Sequence, residues 1–360
     1  MAILLLAGSF VVSLVLTGVV KFFARRTGFV CRPSAERFSK RAVPLGGGIA
    51  IFVTLSAIML GGAFAVKLSG VPASLAGRVD IKGADFLAKA DELAVILGCA
   101  FGLFVLGLWD DSKHLGPFLK LAVEFAVAIS VTALTETRVE FFIENKVITA
   151  VLSAFWIVLI INAFNFLDNM DGLAAGIAVI AGSILFAAAA AAGQVFVGAL
   201  ALVLVGTVLG FLFHNFPPAG IFMGDAGSLV VGFFVALLTL RTTYYEQAQS
   251  GRWYAVFLPA IVMAVPLYDF ISVTLLRISQ GKSPFIGDTQ HFSHRLKKHG
   301  LTDTQTVLTL YLATLTTGLG ATFLYQVDFV GAVLIFVQTF MVLAIIAVFE
   351  TTAQNDKTGD

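Results

Sequence analysis

Two adjacent carboxylates, Asp110 and Asp111, close a long apolar segment of this 360-residue chain. Carboxylates at such a place are costly and usually functional. A pair of them attracts a divalent cation or supplies a general base, and Lys120 lies close enough in the chain to neutralise a phosphate. A solvated helix end is the alternative interpretation.

A second polar cluster follows another apolar segment and comprises Asn162, Asn165, Asp168, Asn169 and Asp171. Spacings of three and four residues keep such side chains on one side of a helix. Amide and carboxylate oxygens suit a hard cation and its hydration shell. Polar contacts between membrane helices would explain the same residues without a ligand.

The third cluster joins His214 and Asn215 to a glycine-rich turn that contains Gly224, Asp225 and Gly227. The glycines allow close approach of the backbone. Because Asp225 immediately precedes an apolar segment, it either caps a helix N-terminus or binds a metal beside a phosphate.

The fourth cluster is basic and contains His291, His294, Arg295, Lys297 and Lys298. These side chains suit phosphate groups, although a basic loop that anchors the membrane topology would look similar. Zinc is a weaker alternative, because no cysteine lies nearby and aspartates favour magnesium.

The composition is that of a membrane protein. Hydrophobic residues make up 58% and charged residues 12%, and the mean hydropathy is +0.95, whereas soluble domains carry about 25% charged residues. A soluble enzyme, a disordered chain and a coiled coil are therefore excluded. Two cysteines are too few for a disulfide scaffold or a zinc cluster. The many phenylalanines favour lipid-facing bulk over a surface for nucleic acid, so no nucleic-acid partner is expected.

Eleven apolar segments are long enough to suggest membrane-spanning helices, and they do not alternate as membrane strands do. They predict an all-α, polytopic transmembrane bundle. Their approximate bounds are 2–23, 46–66, 92–109, 118–135, 148–167, 173–192, 194–213, 226–241, 253–276, 305–325 and 328–349. Glu124 weakens the fourth of these, and Asp269 within the ninth is either a partner of the polar clusters or a helix-packing group.

The charges predict the orientation of the bundle. With an uncleaved first helix whose N-terminus lies outside, 15 of the 23 Lys and Arg residues fall on one side of the membrane, in the loops that carry the four clusters, the loop near 21–45 and the C-terminal tail. The positive-inside rule places these loops in the cytoplasm. We expect one integral membrane domain over 1–350 and a short cytoplasmic tail over 351–360.

Several aspartates and basic groups at one membrane surface suggest magnesium-dependent chemistry on a phosphate, with a lipid as one substrate. The absence of a Walker A sequence argues against ATP hydrolysis. A proton- or cation-coupled transporter is the alternative from another class, but a transporter would place its charges near the middle of the membrane.

In this order the clusters resemble the polyprenyl-phosphate N-acetylhexosamine-1-phosphate transferase family. The resemblance runs from about residue 25 to 300. Its motifs are Trp109–Asp111, Asn165–Ala174, Phe222–Ser228 and His291–Leu296. The resemblance implies transfer of a sugar 1-phosphate from a UDP-sugar to undecaprenyl phosphate with release of UMP, at the cytoplasmic face of the bacterial inner membrane. A homodimer is an open possibility.

The resemblance also implies roles for residues of this chain. Mg²⁺, with Mn²⁺ as a substitute, would bind Asp168 and Asp225, and Asp110 or Asp111 would deprotonate or position the lipid phosphate. A single-step transfer is preferred to a phospho-aspartate intermediate, which stays an alternative. The remaining substrate contacts would come from Asp171 and Asn165 at the nucleotide or metal shell, Asn215 in the cleft, His291, His294 and Arg295 at the diphosphate, and Lys40, Arg41 and Lys120 as additional charges.

The histidine loop favours the branch that transfers N-acetylglucosamine-1-phosphate, which starts lipid-linked polymers such as lipopolysaccharide or teichoic acid. It resembles that branch because His294, Arg295 and Leu296 follow each other and three consecutive histidines are lacking. Ser293, Phe38 and Ser39 depart from the branch pattern. The alternative within the family is the phospho-N-acetylmuramoyl-pentapeptide transferase of peptidoglycan synthesis.

Overall fold

A computed structural model describes residues 1–31, 42–69, 89–139, 145–242, 253–283, 292–298 and 300–355. Thirteen α-helices, a short 3₁₀ helix and one pair of two-residue strands occur in these ranges. In chain order the elements are α1 Ala2–Thr27, β1 Val30–Cys31, β2 Val43–Pro44, α2 Gly47–Ser69, α3 Ala90–Lys113, α4 Pro117–Leu134, α5 Lys146–Leu167, α6 Leu173–Ala191, α7 Val195–Asn215, α8 Asp225–Arg241, the 3₁₀ helix Trp253–Phe257, α9 Leu258–Val262, α10 Ala264–Ser279, α11 Phe292–Lys298, α12 Asp303–Thr322 and α13 Phe329–Asn355.

All eleven predicted apolar segments are helical, and the chain is a multi-pass membrane protein. Eight described helices are long and apolar enough to cross a membrane, and a ninth results if a bent pair forms one span. Helix α8, with only 17 residues, is not among these eight. Nor is α12, which begins with a capping box in which Thr302 and Gln305 bond each other's backbone. The prediction of eleven crossings therefore goes beyond what length and composition of the helices establish.

The predicted segment 253–276 is not one straight helix. The 3₁₀ helix and α9 meet α10 at a bend of 67°. Pro266 lies in the first turn of α10 and has no N–H to continue the helical hydrogen bonds from the preceding turn. A broken helix results, which apolarity alone does not predict.

Small residues bring α1 and α7 together. Ser13 Oγ of α1 donates to the carbonyl oxygen of Thr207 in α7 at 2.6 Å. A Cβ added at Gly206 of α7 would lie 2.0 Å from Ser9 Oγ, and one at Gly210 would lie 2.5 Å from the carbonyl oxygen of Phe10. Close backbone approach of this kind drives helix association in lipid, where the hydrophobic effect contributes little.

One short piece of extended structure departs from the all-α prediction. Strands β1 and β2 pair antiparallel, and the chain beyond β2 continues alongside the segment that precedes α8. Gly47 N donates to Phe222 O and Gly48 N to Met223 O, both at 2.9 Å, and Phe222 N donates to Pro44 O at 2.9 Å. These bonds fix the turn before α8 against the start of α2.

Candidate functional site

Asp111 holds the start of α8 against the end of α3. Its carboxylate accepts the backbone N–H of Asp225 at 2.9 Å and that of Ala226 at 3.2 Å. Backbone N–H groups in the first turn of a helix have no partner within the helix, and a carboxylate there also matches the helix dipole. Asp111 thus caps α8 from a neighbouring helix.

Two glycines make this cap sterically possible. A Cβ on Gly107 of α3 would lie 2.4 Å from the backbone nitrogen of Ala226, so only glycine allows α3 to approach α8 this closely. Gly224 has φ 70°, and a Cβ there would lie 2.6 Å from a carboxylate oxygen of Asp111. The left-handed backbone and the lack of space both require glycine before Asp225.

Lys120 of α4 joins the carboxylates of two other helices. Its Nζ lies 3.0 Å from Asp110 Oδ2 and 2.5 Å from Asp225 Oδ2. The other Asp110 oxygen accepts the backbone N–H of Leu115 at 2.5 Å. The exposed fractions of the three charged side chains are 18% for Lys120, 13% for Asp110 and 26% for Asp225. The Asp111 carboxylate caps α8 beside this pair, so the three carboxylates contact a single ammonium group among the described residues, and negative charge is in excess.

The end of α5 lies beside the start of α8. Asn165 Nδ2 donates to Ser228 Oγ at 3.0 Å. Asp168 follows Asn165 by three residues as the C-cap of α5, and Asp225 precedes Ser228 by three. Since three residues are nearly one helical turn, both aspartates lie about one turn beyond this contact, at the same end of the bundle. The structure thus brings the first three sequence clusters together.

The loop between α5 and α6 is tied to the loop before α8. Asp171 Oδ2 accepts the backbone N–H of Ala219 at 2.8 Å, and burial raises the pKa of the Asp171 carboxyl. Asn215 accepts Gly172 N at 3.0 Å and donates to Ile221 O at 2.8 Å. Asn215 is buried and uses both ends of its amide in backbone contacts, so its role in substrate binding stays a prediction.

The basic cluster reaches the same region through α11. Ser293 Oγ donates to Asn169 Oδ1 at 2.7 Å, and Arg295 donates to Ser272 Oγ at 3.2 Å. Residue 293, where the chain departs from the branch pattern, therefore contacts the second cluster directly. Lys40, Arg41 and His291 lie outside the described residues, as does the side chain of His294.

The chemistry of the donors fits a magnesium ion, although the described residues do not form a complete set of ligands. No group of three or more His, Cys, Asp or Glu side chains suited to a metal occurs among them. The donors at this end are nevertheless carboxylate and amide oxygens, which Mg²⁺ prefers. The charge excess around Lys120 is one that a divalent cation would balance.

Two features of the site were not among the predicted site residues. Tyr311 of α12 donates its hydroxyl to Gly172 O at 2.5 Å; an isolated tyrosine in an apolar segment carries no sequence signal for this contact. Glu124 of α4 is almost fully buried, with 1% exposure, and accepts Asn162 Nδ2 at 2.5 Å. In the sequence, the acidic residue within an otherwise apolar segment indicated that Glu124 has a special role.

Comparison with known proteins identifies a family and several relatives of this chain. Residues 93–243, which include the aspartates of the site, match glycosyl transferase family 4. The chain is 33% identical to a probable undecaprenyl-phosphate N-acetylglucosaminyl 1-phosphate transferase of Bacillus subtilis, over 84% of this chain and 80% of the relative. It is 30% identical to the decaprenyl-phosphate N-acetylglucosaminephosphotransferase of Mycolicibacterium smegmatis, over 82% and 75%.

A third relative is the undecaprenyl-phosphate alpha-N-acetylglucosaminyl 1-phosphate transferase of Escherichia coli, 25% identical over 82% of this chain and 78% of the relative. The family match runs from within α3 to the end of α8, the helices that carry Asp110, Asp111 and Asp225, and the relatives' names agree in reaction class. They confirm the resemblance drawn from the four motifs. The chain belongs to glycosyl transferase family 4, as a polyprenyl-phosphate sugar-phosphate transferase similar to the N-acetylglucosaminyl branch.

Proposed function

We propose that this protein transfers N-acetylglucosamine-1-phosphate from UDP-N-acetylglucosamine to undecaprenyl phosphate and releases UMP. The observation that carries the proposal is the sharing of Lys120 by Asp110 of α3 and Asp225 of α8 at one end of an apolar bundle. With a divalent cation bound to balance its carboxylates, such a site at a membrane surface would suit a lipid phosphate and a nucleotide diphosphate better than a transported solute.

The reaction joins two anions. An oxygen of the lipid phosphate attacks the β-phosphorus of the UDP-sugar, and the bond from that phosphorus to the bridging oxygen breaks, so that UMP leaves with the electron pair. Lys120 lowers the repulsion between the approaching phosphates. Arg295 would hold the diphosphate, because a guanidinium pairs with phosphate oxygens as a planar fork.

The two adjacent aspartates have different parts in this proposal. Both oxygens of Asp111 accept backbone N–H groups of α8, so Asp111 keeps Asp225 in place. Asp110 contacts the Lys120 ammonium group and is the group that would position the lipid phosphate or accept its proton. Bound Mg²⁺, held by Asp225 and Asp168, would supply charge neutralisation for the leaving UMP.

Transfer assays with purified protein test this function. The protein would receive Mg²⁺ and undecaprenyl phosphate together with radiolabelled UDP-N-acetylglucosamine or, separately, the UDP-muramyl-pentapeptide. We expect labelled lipid from the first donor only. Label from the muramyl donor alone would overturn the branch assignment and leave the reaction class intact, whereas no labelled lipid from either would overturn the proposed function. Decaprenyl phosphate serves as a second acceptor, because the mycobacterial relative is named for it.

We further propose that the site faces the cytoplasm of a bacterial inner membrane. Lys113 and Lys146 form a matched pair of exposed residues at the C-terminus of α3 and the N-terminus of α5. In a chain with Cys31→Ala and Cys99→Ala, an impermeant thiol reagent should label Lys146→Cys in intact cells and Lys113→Cys only after lysis. The reverse pattern would place the site outside.

A further inference from the structure

Glu124 is an ionisable residue inside the apolar helix α4, and the chemistry proposed above gives it no part. Its side chain is buried to 1% exposure and accepts Asn162 Nδ2 of α5 at 2.5 Å. The same Asn162 nitrogen also donates to Val158 O at 2.9 Å. An acidic residue within a membrane helix is costly and marks a functional position by default.

Glu124 lies directly beneath Lys120 on the same face of α4, because residues four apart are neighbours on a helix. On α5, Asn162 lies one turn from Asn165, which bonds Ser228 of α8. The contact between Glu124 and Asn162 therefore joins α4 to α5 one turn deeper in the bundle than Lys120 joins α4 to α8.

These two layers of contacts leave α4 little freedom to rotate or slide. Helix α4 is otherwise peripheral: between Pro117 and Leu134 only Glu124, Ala128, Val131 and Thr132 are buried. Apolar packing in lipid specifies the register of a helix weakly. The polar bond of Glu124 is thus the contact nearest to Lys120 that can set the register of α4 on α5.

Resting on the proposed transfer function, we propose that Glu124 is a positioning residue for Lys120. Its carboxyl oxygen accepts the Asn162 amide and so keeps α4 where the Lys120 ammonium group lies between Asp110 and Asp225. The acceptor oxygen, and not a charge, is what this role requires.

Two substitutions of similar size separate the acceptor from the bulk of the side chain. Glu124→Gln keeps an acceptor oxygen and should keep kcat within about 2-fold, whereas Glu124→Leu should lower kcat at least about 10-fold, since small displacements of catalytic groups cost this much. Thr132→Val is the matched control, because Thr132 is buried on the same helix far from the site. It should transfer like the unchanged protein.

A double substitution tests whether Glu124 acts through Lys120. In a Lys120→Met background, adding Glu124→Leu should change kcat less than about 2-fold, because the group being positioned is already absent. If Glu124 only stabilised the fold, Glu124→Leu would lower kcat by the same factor in the Lys120→Met background as in the unchanged protein. Such an equal loss, unchanged transfer by Glu124→Leu, or equal damage by Glu124→Gln would each overturn the proposal.

Amine labelling gives a readout that does not depend on the transfer reaction. Acetic anhydride labelling followed by peptide mass spectrometry should show Lys120 protected relative to exposed Lys113, and Glu124→Leu should raise the labelling rate of Lys120 at least about 5-fold. Unchanged protection would overturn the inference even if transfer is established. Should Glu124→Leu fail to fold, Asn162→Ser removes the same bond from α5 and should expose Lys120 equally.

Discussion

Helices α3 and α8 run antiparallel, and charged side chains join them at both ends. At one end, here called the arginine end, Arg241 of α8 lies 2.6 Å from Glu92 of α3. Arg241 also donates to Thr137 Oγ1 at 3.1 Å, and its carbonyl accepts Gln194 Nε2 at 3.0 Å. The opposite, acidic end is formed by Asp110, Asp111, Lys120 and Asp225.

The two ends differ in charge balance although both join α3 to α8. At the arginine end Arg241 pairs directly with Glu92, Lys89 lies near enough to act on Glu92 as a second cation, and the neutral Thr137 hydroxyl accepts a further hydrogen bond from Arg241. At the acidic end Asp110 and Asp225 share the Lys120 ammonium group, and the third carboxylate, that of Asp111, caps α8 beside them. An ion pair with matched charges needs no further ligand, whereas an excess of carboxylates in an apolar setting favours the binding of a cation.

The sharpest test of this difference removes one charge from the acidic end. Asp225→Asn should lower kcat at least about 1000-fold, or about 4 kcal/mol in the activation free energy, because the substitution keeps the shape and removes a carboxylate ligand of the proposed Mg²⁺. Asp168→Asn should do the same. Lipid-transfer assays at saturating Mg²⁺, with thermal unfolding as the folding control, measure both. Near-normal turnover would show that the substituted residue is not a ligand.

The matching change at the arginine end should affect stability and not catalysis. Arg241→Met should lower the free energy of unfolding by about 3 kcal/mol, because it leaves Glu92 without its partner in a largely buried place. The value of kcat for the folded fraction should stay within about 2-fold. Equilibrium unfolding in detergent and transfer assays measure the two quantities.

A double variant at that end provides the control. Glu92→Met combined with Arg241→Met should recover most of the lost stability, since no unpaired charge remains. A large loss of kcat in either protein would mean that the arginine end takes part in the reaction, and the comparison would fail.

Lys120→Met removes the ammonium group that Asp110 and Asp225 share. We expect kcat to fall about 100-fold, or about 2.7 kcal/mol, because the repulsion between the two phosphates is no longer lowered. Stability should change less than in Arg241→Met. If unfolding were the main effect, Lys120 would be a structural counterpart of Arg241.

The smallest effect is expected at the rim of the acidic end. Ser293→Ala removes the hydrogen bond to Asn169 and should lower the free energy of unfolding by about 1 kcal/mol, with kcat changed less than about 3-fold. Parallel melting curves and transfer rates decide this. A loss of kcat comparable to that of Lys120→Met would indicate that Ser293 contacts the substrate.

The fold class and the grouping of polar residues follow from local sequence. Each apolar segment predicts its helix, because backbone groups in lipid must bond within the helix. Since successive helices reverse direction, the clusters around Asp110, Asp168 and Asp225 were expected to meet at one end, and the structure brings them together. The resemblance in motif order was likewise readable from the chain alone and is confirmed by the relatives.

The partners of individual side chains were decided only by the tertiary structure. Sequence left Asp110 and Asp111 equivalent, yet Asp111 caps α8 while Asp110 pairs with Lys120. This division depends on the close approach of Gly107 in α3 to Ala226 in α8. The sequence pattern of a single helix does not predict a distance between two helices. Hydrogen bonds form within about 3 Å, so the choice of partner follows from the packing of helices that are distant in sequence.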